Sequence, residues 1–311
     1  MIRVAFFGMG SIARRHIKNL SEVFNERKET FSIDVYDINT DYVKDESINY
    51  LIDRKYLIDE LSDQEYDICF ITNPTAHHYD TLKKIHDIAK YVFLEKPVFD
   101  NPNYDISLFN NQKVYVACPL RYSQVIQTVK SIIDISKVIS VRSISSSYLP
   151  DWRPNIDYRK CYSAHKNQGG GVSIDLIHEW DYLTFLFGMP TNCYSIIDKK
   201  SNLEIDSDDV AIYIAKNDKI TFEVHLDYYG RQSIREMLIF TSDDTISCDI
   251  LNEEIHFLKE NKALVFEKDR NKFQKDEIRH FLDIVDGKIE NDSTISHAVA
   301  VLKIANGGSL K

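Results

Sequence analysis

The chain has no apolar run near the roughly 20 residues needed to span a bilayer, so no membrane partner is expected. Cysteine is sparse. Cys69, Cys118, Cys161, Cys193 and Cys248 are odd in number, far apart and form no C-x-x-C pair. That excludes a disulfide framework and fits reduced thiols in the cytoplasm, the expected location. The apolar stretch at residues 2–7 is broken too soon by glycine for a signal peptide. There is no G-x-S-x-G, and no cysteine setting suggests a nucleophile. Metal-ligand spacing is also missing. His77 and His78 are adjacent, about 100° apart on a helix, and no cluster supplies further ligands, so no metal is expected. Positive charge is in deficit, with 38 Lys and Arg against 48 Asp and Glu and a net charge of -10. A diffuse acidic balance argues against nucleic acid as the main partner. It leaves room for a phosphate-bearing ligand, because a helix N-terminus can hold one. There are no repeats and no low-complexity linker.

The 311 residues are 43% hydrophobic and 28% charged, ordinary for a globular protein, and long enough for about two domains. Residues 2–7, 33–37, 66–72, 91–94 and 114–117 read as strands. Residues 11–26 and 76–90 read as helices between them, and 41–63 as a short helix with irregular connections. Strand alternating with helix predicts an α/β fold with a doubly wound parallel sheet. After residue 120 the pattern changes. Helices are expected over 123–135 and, as one continuous element, 172–187, which stops at Gly188 with Pro190 beyond. Residues 194–257 read as consecutive strands, clearest at 210–215, 220–226 and 236–240, which predicts a mostly antiparallel sheet. Helices return at 272–285 and 295–305. The expected domains are 1–120, Rossmann-type, and 121–311, α/β, with the C-terminal helix able to pack back on the first.

Gly8-Met9-Gly10-Ser11-Ile12-Ala13 has the form G-x-G-x-x-A between a strand and a helix. Gly8 makes the tight turn, Gly10 lets the backbone approach a pyrophosphate, and Ala13 lets the helix pack closely on the strand. The helix N-terminus, from Ser11 and Ile12 onward, favours anionic phosphates. Asp37 closes the second strand. A carboxylate there accepts the ribose hydroxyls of NAD and repels the 2′-phosphate of NADP, so NAD is the expected cofactor. Arg14 and Arg15 are either surface residues or a phosphate contact.

Phe93-Leu94-Glu95-Lys96-Pro97, downstream of that glycine motif, resembles the Gfo/Idh/MocA oxidoreductase family. Thr72-Asn73-Pro74-Thr75-Ala76-His77-His78 is similar to the family's strand-end loop beside the cofactor. Leu120-Arg121-Tyr122 is similar to its Asn-x-Arg-aromatic segment, with Pro119 in place of the Asn. Gly169-Gly170-Gly171 followed by Asp175 resembles the glycine run and helix carrying the rest of the active site. The resemblance covers nearly the whole chain. It implies a large open-faced sheet in the second domain and an active site between the domains. It implies cofactor contacts at Thr72, Asn73, Pro74, His77, Glu95, Lys96 and Arg121. Lys96 and Asp175 match the family's catalytic pair. The family's His lies four residues after the Asp in many members; here that position is Glu179, and His178 is three residues on.

Hydride transfer between an alcohol and nicotinamide needs a group that takes or supplies the hydroxyl proton. A lysine starts near 10.4 and needs a large depression to act as a base, whereas a histidine starts near 6.5. His178 is therefore the expected acceptor, with Lys96 on the reacting oxygen and Asp175 orienting them. The alternative is Lys96 as base with His178 positioning substrate. Tyr122, Trp152, Arg153, Tyr158, Arg159 and Glu179 are candidate substrate contacts, because forked donors and rings suit hydroxylated or anionic ligands. The expectation is an NAD-dependent oxidoreductase of a sugar or nucleotide-sugar, homodimeric or homotetrameric, in surface-polysaccharide or unusual-sugar synthesis. The rivals are a reductase of a non-sugar ketone, imine or tetrapyrrole, and a non-catalytic NAD-binding regulator of the same fold.

Overall fold

A computed structural model describes residues 1–38, 46–61 and 64–308. Part of the segment expected as a short helix with irregular connections, residues 41–45 and 62–63, lies outside them. The chain divides into two compact units, residues 1–117 with 274–299 and residues 118–273 with 300 onward.

In the first unit the strands are β1 (Ile2–Phe7), β2 (Phe31–Asp37), β3 (Arg54–Leu57), β4 (Tyr66–Ile71), β5 (Ala89–Leu94) and β6 (Val114–Val116). Between them run α1 (Ser11–Glu26), α2 (Glu46–Asn49) and α3 (His78–Ile85). The sheet order is β3-β2-β1-β4-β5-β6 with every pair parallel. This is the dinucleotide-binding order, which reverses direction beside β1. Alternation along β1 sends Phe6 and Phe7 to opposite faces. Phe6 stacks on Phe70 at 4.5 Å, Phe70 on Phe93 at 4.8 Å, and Phe93 lies 5.3 Å from Tyr115. One aromatic row thus crosses four strands. Phe281, from the returning segment, sets its edge on Phe70 and Phe93. Each aromatic pair adds about 0.5–1.5 kcal/mol beyond its buried area. On the other face Phe7 stacks on Tyr36 and Tyr36 on Tyr56.

Two local expectations are corrected here. The helix expected over 76–90 is shorter, a 3-10 turn at Thr75–His77 running into α3. The Ile88 amide closes a turn on the Ile85 carbonyl, and β5 begins at Ala89. The edge strand β3 was not foreseen.

The second unit contains α4 (Gln124–Ile132), β7 (Val138–Tyr148), α5 (Val172–Asp175), α6 (His178–Phe187), β8 (Asn192–Asp198), β9 (Val210–Lys216) and β10 (Thr221–Asp227). It continues with β11 (Tyr229–Thr241), β12 (Thr245–Asp249), β13 (Glu254–Phe257) and β14 (Lys262–Val265). Helices α7 (Arg270–Val285) and α8 (Ile295–Ala305) close the chain, each passing from one unit to the other. The sheet order is β14-β13-β12-β11-β7-β10-β9-β8. Only β7 and β10 pair in parallel; the rest is antiparallel. α6 covers one face, where the fully buried Trp180 meets Tyr213 and Phe222. The alternate residues point away from α6 and stay open, with Tyr194 75% and Ile196 61% exposed. Among the described residues no helix is long and apolar enough to cross a membrane.

The single helix expected over 172–187 is two. Leu176 has φ -96° and ψ 25°, off the helical well, and the amides of Ile177 and Glu179 reach back three residues instead of four. Apolar spacing runs through this break, so periodicity could not locate it.

Candidate functional site

The glycine turn after β1 is fixed from three sides. The Gly8 amide donates to the Tyr36 carbonyl at 2.8 Å. The Thr72 hydroxyl donates to the Gly8 carbonyl at 2.7 Å. The Met9 amide donates to Asp37 Oδ2 at 2.6 Å. Gly8 has φ +93°, and a Cβ on it would lie 2.5 Å from Asn73 Cα, so no other residue fits. Gly10 differs. Its φ is -72°, and a Cβ on it would meet nothing within 4 Å. The space above Gly10 is open, as close approach of a pyrophosphate requires. Gly10 is also the N-cap of α1, without a side-chain cap and without an acid in the first turn. First-turn amides and the positive dipole end of a 16-residue helix therefore face that space. Asp37, also accepting from the Ile38 amide at 2.6 Å, sets a carboxylate at the end of β2. These residues fit a dinucleotide.

The loops after β4 and β5 are held together by His78, a residue not placed in the site from sequence. It is buried on α3. Its Nε2 lies 2.9 Å from the Asn73 carbonyl oxygen and its Nδ1 3.0 Å from that of Pro97. Burial pushes this imidazole below its usual range, against the pull of those carbonyls and of Glu95. Asn73 donates through Nδ2 to Thr81 at 2.7 Å; its buried Oδ1 has no partner among the described residues. Pro74 and His77 are exposed beside it. Lys96, half-buried, follows β5 at a cis bond to Pro97.

Glu95 was expected to touch the cofactor. Its carboxylate instead meets Nε2 of the buried His16 on α1, at 2.5 Å. Burial works to raise Glu95, but the hydrogen bond and charge of His16, with Lys96 and His78, bring it below the usual carboxylate range. It ties the end of β5 to α1.

In the second unit the glycine run packs too closely for side chains. A Cβ on Gly170 would lie 2.1 Å from the Tyr162 carbonyl oxygen, and one on Gly171, at φ +136°, 2.2 Å from Asp208. Asp208 receives the Ser173 amide at 2.9 Å and so fixes the start of α5. α5 ends at the buried Asp175, whose Oδ2 accepts the Tyr228 hydroxyl at 2.6 Å. Tyr162 also hydrogen-bonds to Asp175. Burial raises the Asp208 carboxyl, and the charge of Asp175 adds to that. Half-buried His178 opens α6. Trp152 sets its edge on Tyr228 with centroids 5.2 Å apart, and its Nε1 donates to Ser147 at 2.9 Å. The Arg153 guanidinium lies 5.7 Å from the centre of the Tyr162 ring. The cluster gathered by the second unit is thus Asp175, Tyr162, Tyr228, Asp208, Trp152 and Arg153. Tyr162, Tyr228 and Asp208 were missed, because no spacing links them to Asp175.

The remaining expected contacts have these surroundings. Glu179 is 0% exposed, paired with Arg235 at 2.9 Å and accepting from Tyr182 at 2.5 Å, out of a substrate's reach. Arg121 is 1% exposed and forks onto Asp181 at 2.8 and 2.7 Å, stacked over Phe185, so its guanidinium anchors α6. Arg159 is held by Asp157 and Glu204. Tyr158 accepts the Glu204 amide at 3.2 Å, and Tyr122 is half-buried after the 3-10 turn at Pro119–Tyr122.

Residues 2–107 match the model of an oxidoreductase family with an NAD-binding Rossmann fold, GFO_IDH_MocA. That match lies within the first unit and takes in its parallel sheet through β5. The chain is 24% identical over 197 residues to the uncharacterized oxidoreductase YrbE of Bacillus subtilis (strain 168). That match takes in 60% of this chain and 54% of YrbE, about half the relative's length. Among solved structures it is similar to the UDP-N-acetylglucosamine 3-dehydrogenase GnnA of Acidithiobacillus ferrooxidans, with TM-score 0.77, 17% identity and coverage of 99% and 97%. It is also similar to the WlbA dehydrogenase of Bordetella pertussis in complex with NADH and UDP-GlcNAcA, with TM-score 0.78, 14% identity and coverage of 98% and 94%. A levoglucosan dehydrogenase in complex with NADH and L-sorbose gives TM-score 0.82, 14% identity and coverage of 99% and 95%. At these identities the structures show a shared fold.

Proposed function

We propose that the protein is an NAD-dependent oxidoreductase acting on a secondary alcohol or ketone of a sugar or nucleotide-sugar. The observation that carries this is the uncapped α1 N-terminus beneath the open space at Gly10, with Asp37 at the end of β2. The loop from Gly8 to Ala13 would hold the pyrophosphate, Asp37 the adenosine ribose, and Thr72, Asn73 and Pro74 the neighbouring wall. The cofactor, when bound, supplies hydride acceptance or donation. The chain's part is to move the hydroxyl proton. His178 is the proposed acceptor, Lys96 polarises the reacting oxygen, and Asp175, fixed by its tyrosines, orients the transfer. Trp152 and Arg153 are the proposed substrate contacts. The nucleotide-sugar reading is supported by the likeness to a UDP-N-acetylglucosamine 3-dehydrogenase and to WlbA in complex with UDP-GlcNAcA; a place in surface-polysaccharide or unusual-sugar synthesis, in the cytoplasm, is part of the same proposal. The exposed Tyr194 and Ile196 support a homo-oligomer, which light scattering at micromolar concentration tests.

The experiment is a titration with NADH and NADPH by nicotinamide fluorescence, repeated with pools of sugars and nucleotide-sugars. NADH binding with turnover in one pool is the expected result. Binding of neither nucleotide sinks the proposal. Binding without turnover on any alcohol or ketone replaces it with a nucleotide sensor.

A further inference from the structure

Tyr228 sits in the short link between β10 and β11, with its ring fully buried. Its main chain is tied on both sides, the amide to the Asp209 carbonyl at 3.0 Å and the carbonyl to the Leu149 amide at 2.9 Å. The edge-on Trp152 closes one flank of the ring. The hydroxyl therefore has one place to point, Asp175 Oδ2, at 2.6 Å. We propose that Tyr228 is a positioning residue, setting both the orientation and the charge of Asp175 for proton transfer. This rests on the oxidoreductase reading above.

The charge part follows from the neighbours. Asp208, just before β9 and half-buried, is a second carboxyl beside Asp175, raised by burial and by the charge of Asp175. A hydroxyl donating to a carboxylate favours its charged form. Tyr228 and Tyr162 both donate to Asp175. Asp208 is served instead by the Ser173 amide and hydroxyl. Tyr228 itself stays a donor throughout, because burial and the charge of Asp175, with Tyr162 and Asp208 nearby, hold its phenol well above the usual range.

The test is kinetic, on whichever pooled substrate wild type turns over. Tyr228→Phe keeps the ring and removes the donor. Expected are a kcat about 10–100-fold lower, a KM within about threefold, and an acid limb of the kcat–pH profile moved to higher pH. Tyr182→Phe is the matched control. It also removes a buried hydroxyl from a carboxylate, that of Glu179, in the same unit. It should lower thermal stability comparably and leave the pH profile in place. If Tyr228→Phe fails to unfold cooperatively, 3-fluorotyrosine placed at 228 keeps the fold, strengthens the donor and should move the acid limb to lower pH. Wild-type kcat and profile in Tyr228→Phe, or an unmoved limb with fluorotyrosine, overturns the role of Tyr228 alone. A wild type that binds NADH and turns over no alcohol or ketone overturns the oxidoreductase reading and this role with it.

Discussion

A side chain on Gly8 would lie 2.5 Å from Asn73 Cα, whereas one on Gly10, two residues later, would meet nothing within 4 Å. The two glycines of one motif thus serve different ends, one packing and one ligand access. Gly8→Ala must strain a backbone at φ +93° and displace the neighbouring loop, a cost of at least about 1–3 kcal/mol. It should lower the melting temperature and NADH affinity together. Gly10→Ala should stay within about 1 kcal/mol of wild-type stability while NADH binding weakens at least about tenfold. Wild-type affinity in Gly10→Ala would place the pyrophosphate elsewhere.

Asp37 receives the Met9 amide and stands at the end of β2, so it links the glycine turn to the expected ribose position. Asp37→Ser keeps an acceptor for that amide and removes the negative charge. NADH affinity should fall about tenfold and the NADH-over-NADPH preference should narrow or reverse. An unchanged ratio in paired fluorescence titrations contradicts the assignment.

The glycine motif was legible in the sequence because each small residue answers a local geometric need. The strand β3 was not, since Arg54 and Lys55 on a sheet edge carry no apolar alternation. Nor were the partners of the charged site candidates. Glu179 pairs with a residue 56 positions away, Arg121 with one 60 away, and Arg159 with one 45 away. Residue type identified them as polar anchors, but the fold alone decides whether an anchor faces a ligand or another side chain.

His78 gives a pH signature. Burial lowers its pKa from the usual 6.5, so it is neutral when folded over a range where the unfolded chain already binds a proton. Its contribution is therefore fully present above pH 6.5 and is lost as the pH falls toward the folded value. The neutral ring donates from one nitrogen only, although carbonyl oxygens face both. Urea unfolding between pH 5 and 6.5 should show wild-type stability falling on acidification by up to about 1.4 kcal/mol per pH unit more than His78→Gln. Equal slopes would mean that His78 is protonated in the folded protein.

The fully buried Glu179 and the half-buried Arg235 make a pair whose value is structural. Glu179→Ala leaves the Arg235 guanidinium without its carboxylate and the Tyr182 hydroxyl with Ser143 alone. Loss of about 3–5 kcal/mol of stability is expected, read by urea unfolding, with NADH affinity unchanged. A variant of wild-type stability with a raised substrate KM would return Glu179 to the substrate site.

Arg153 and Arg159 separate the two fates of an exposed arginine. Arg159 is neutralised by Asp157 and Glu204, whereas Arg153 has a ring beneath it and no carboxylate partner among the described residues. A substrate phosphate or carboxylate would have to displace two anions from Arg159 and none from Arg153. On the substrate found by the pooled screen, if it is anionic, Arg153→Ala should raise KM by about 10-fold or more, the loss of one charge-assisted contact of at least about 1.4 kcal/mol. Arg159→Ala should change it less than about threefold. The reverse order would show that the 157–160 turn opens when substrate binds, releasing Arg159 from its carboxylates.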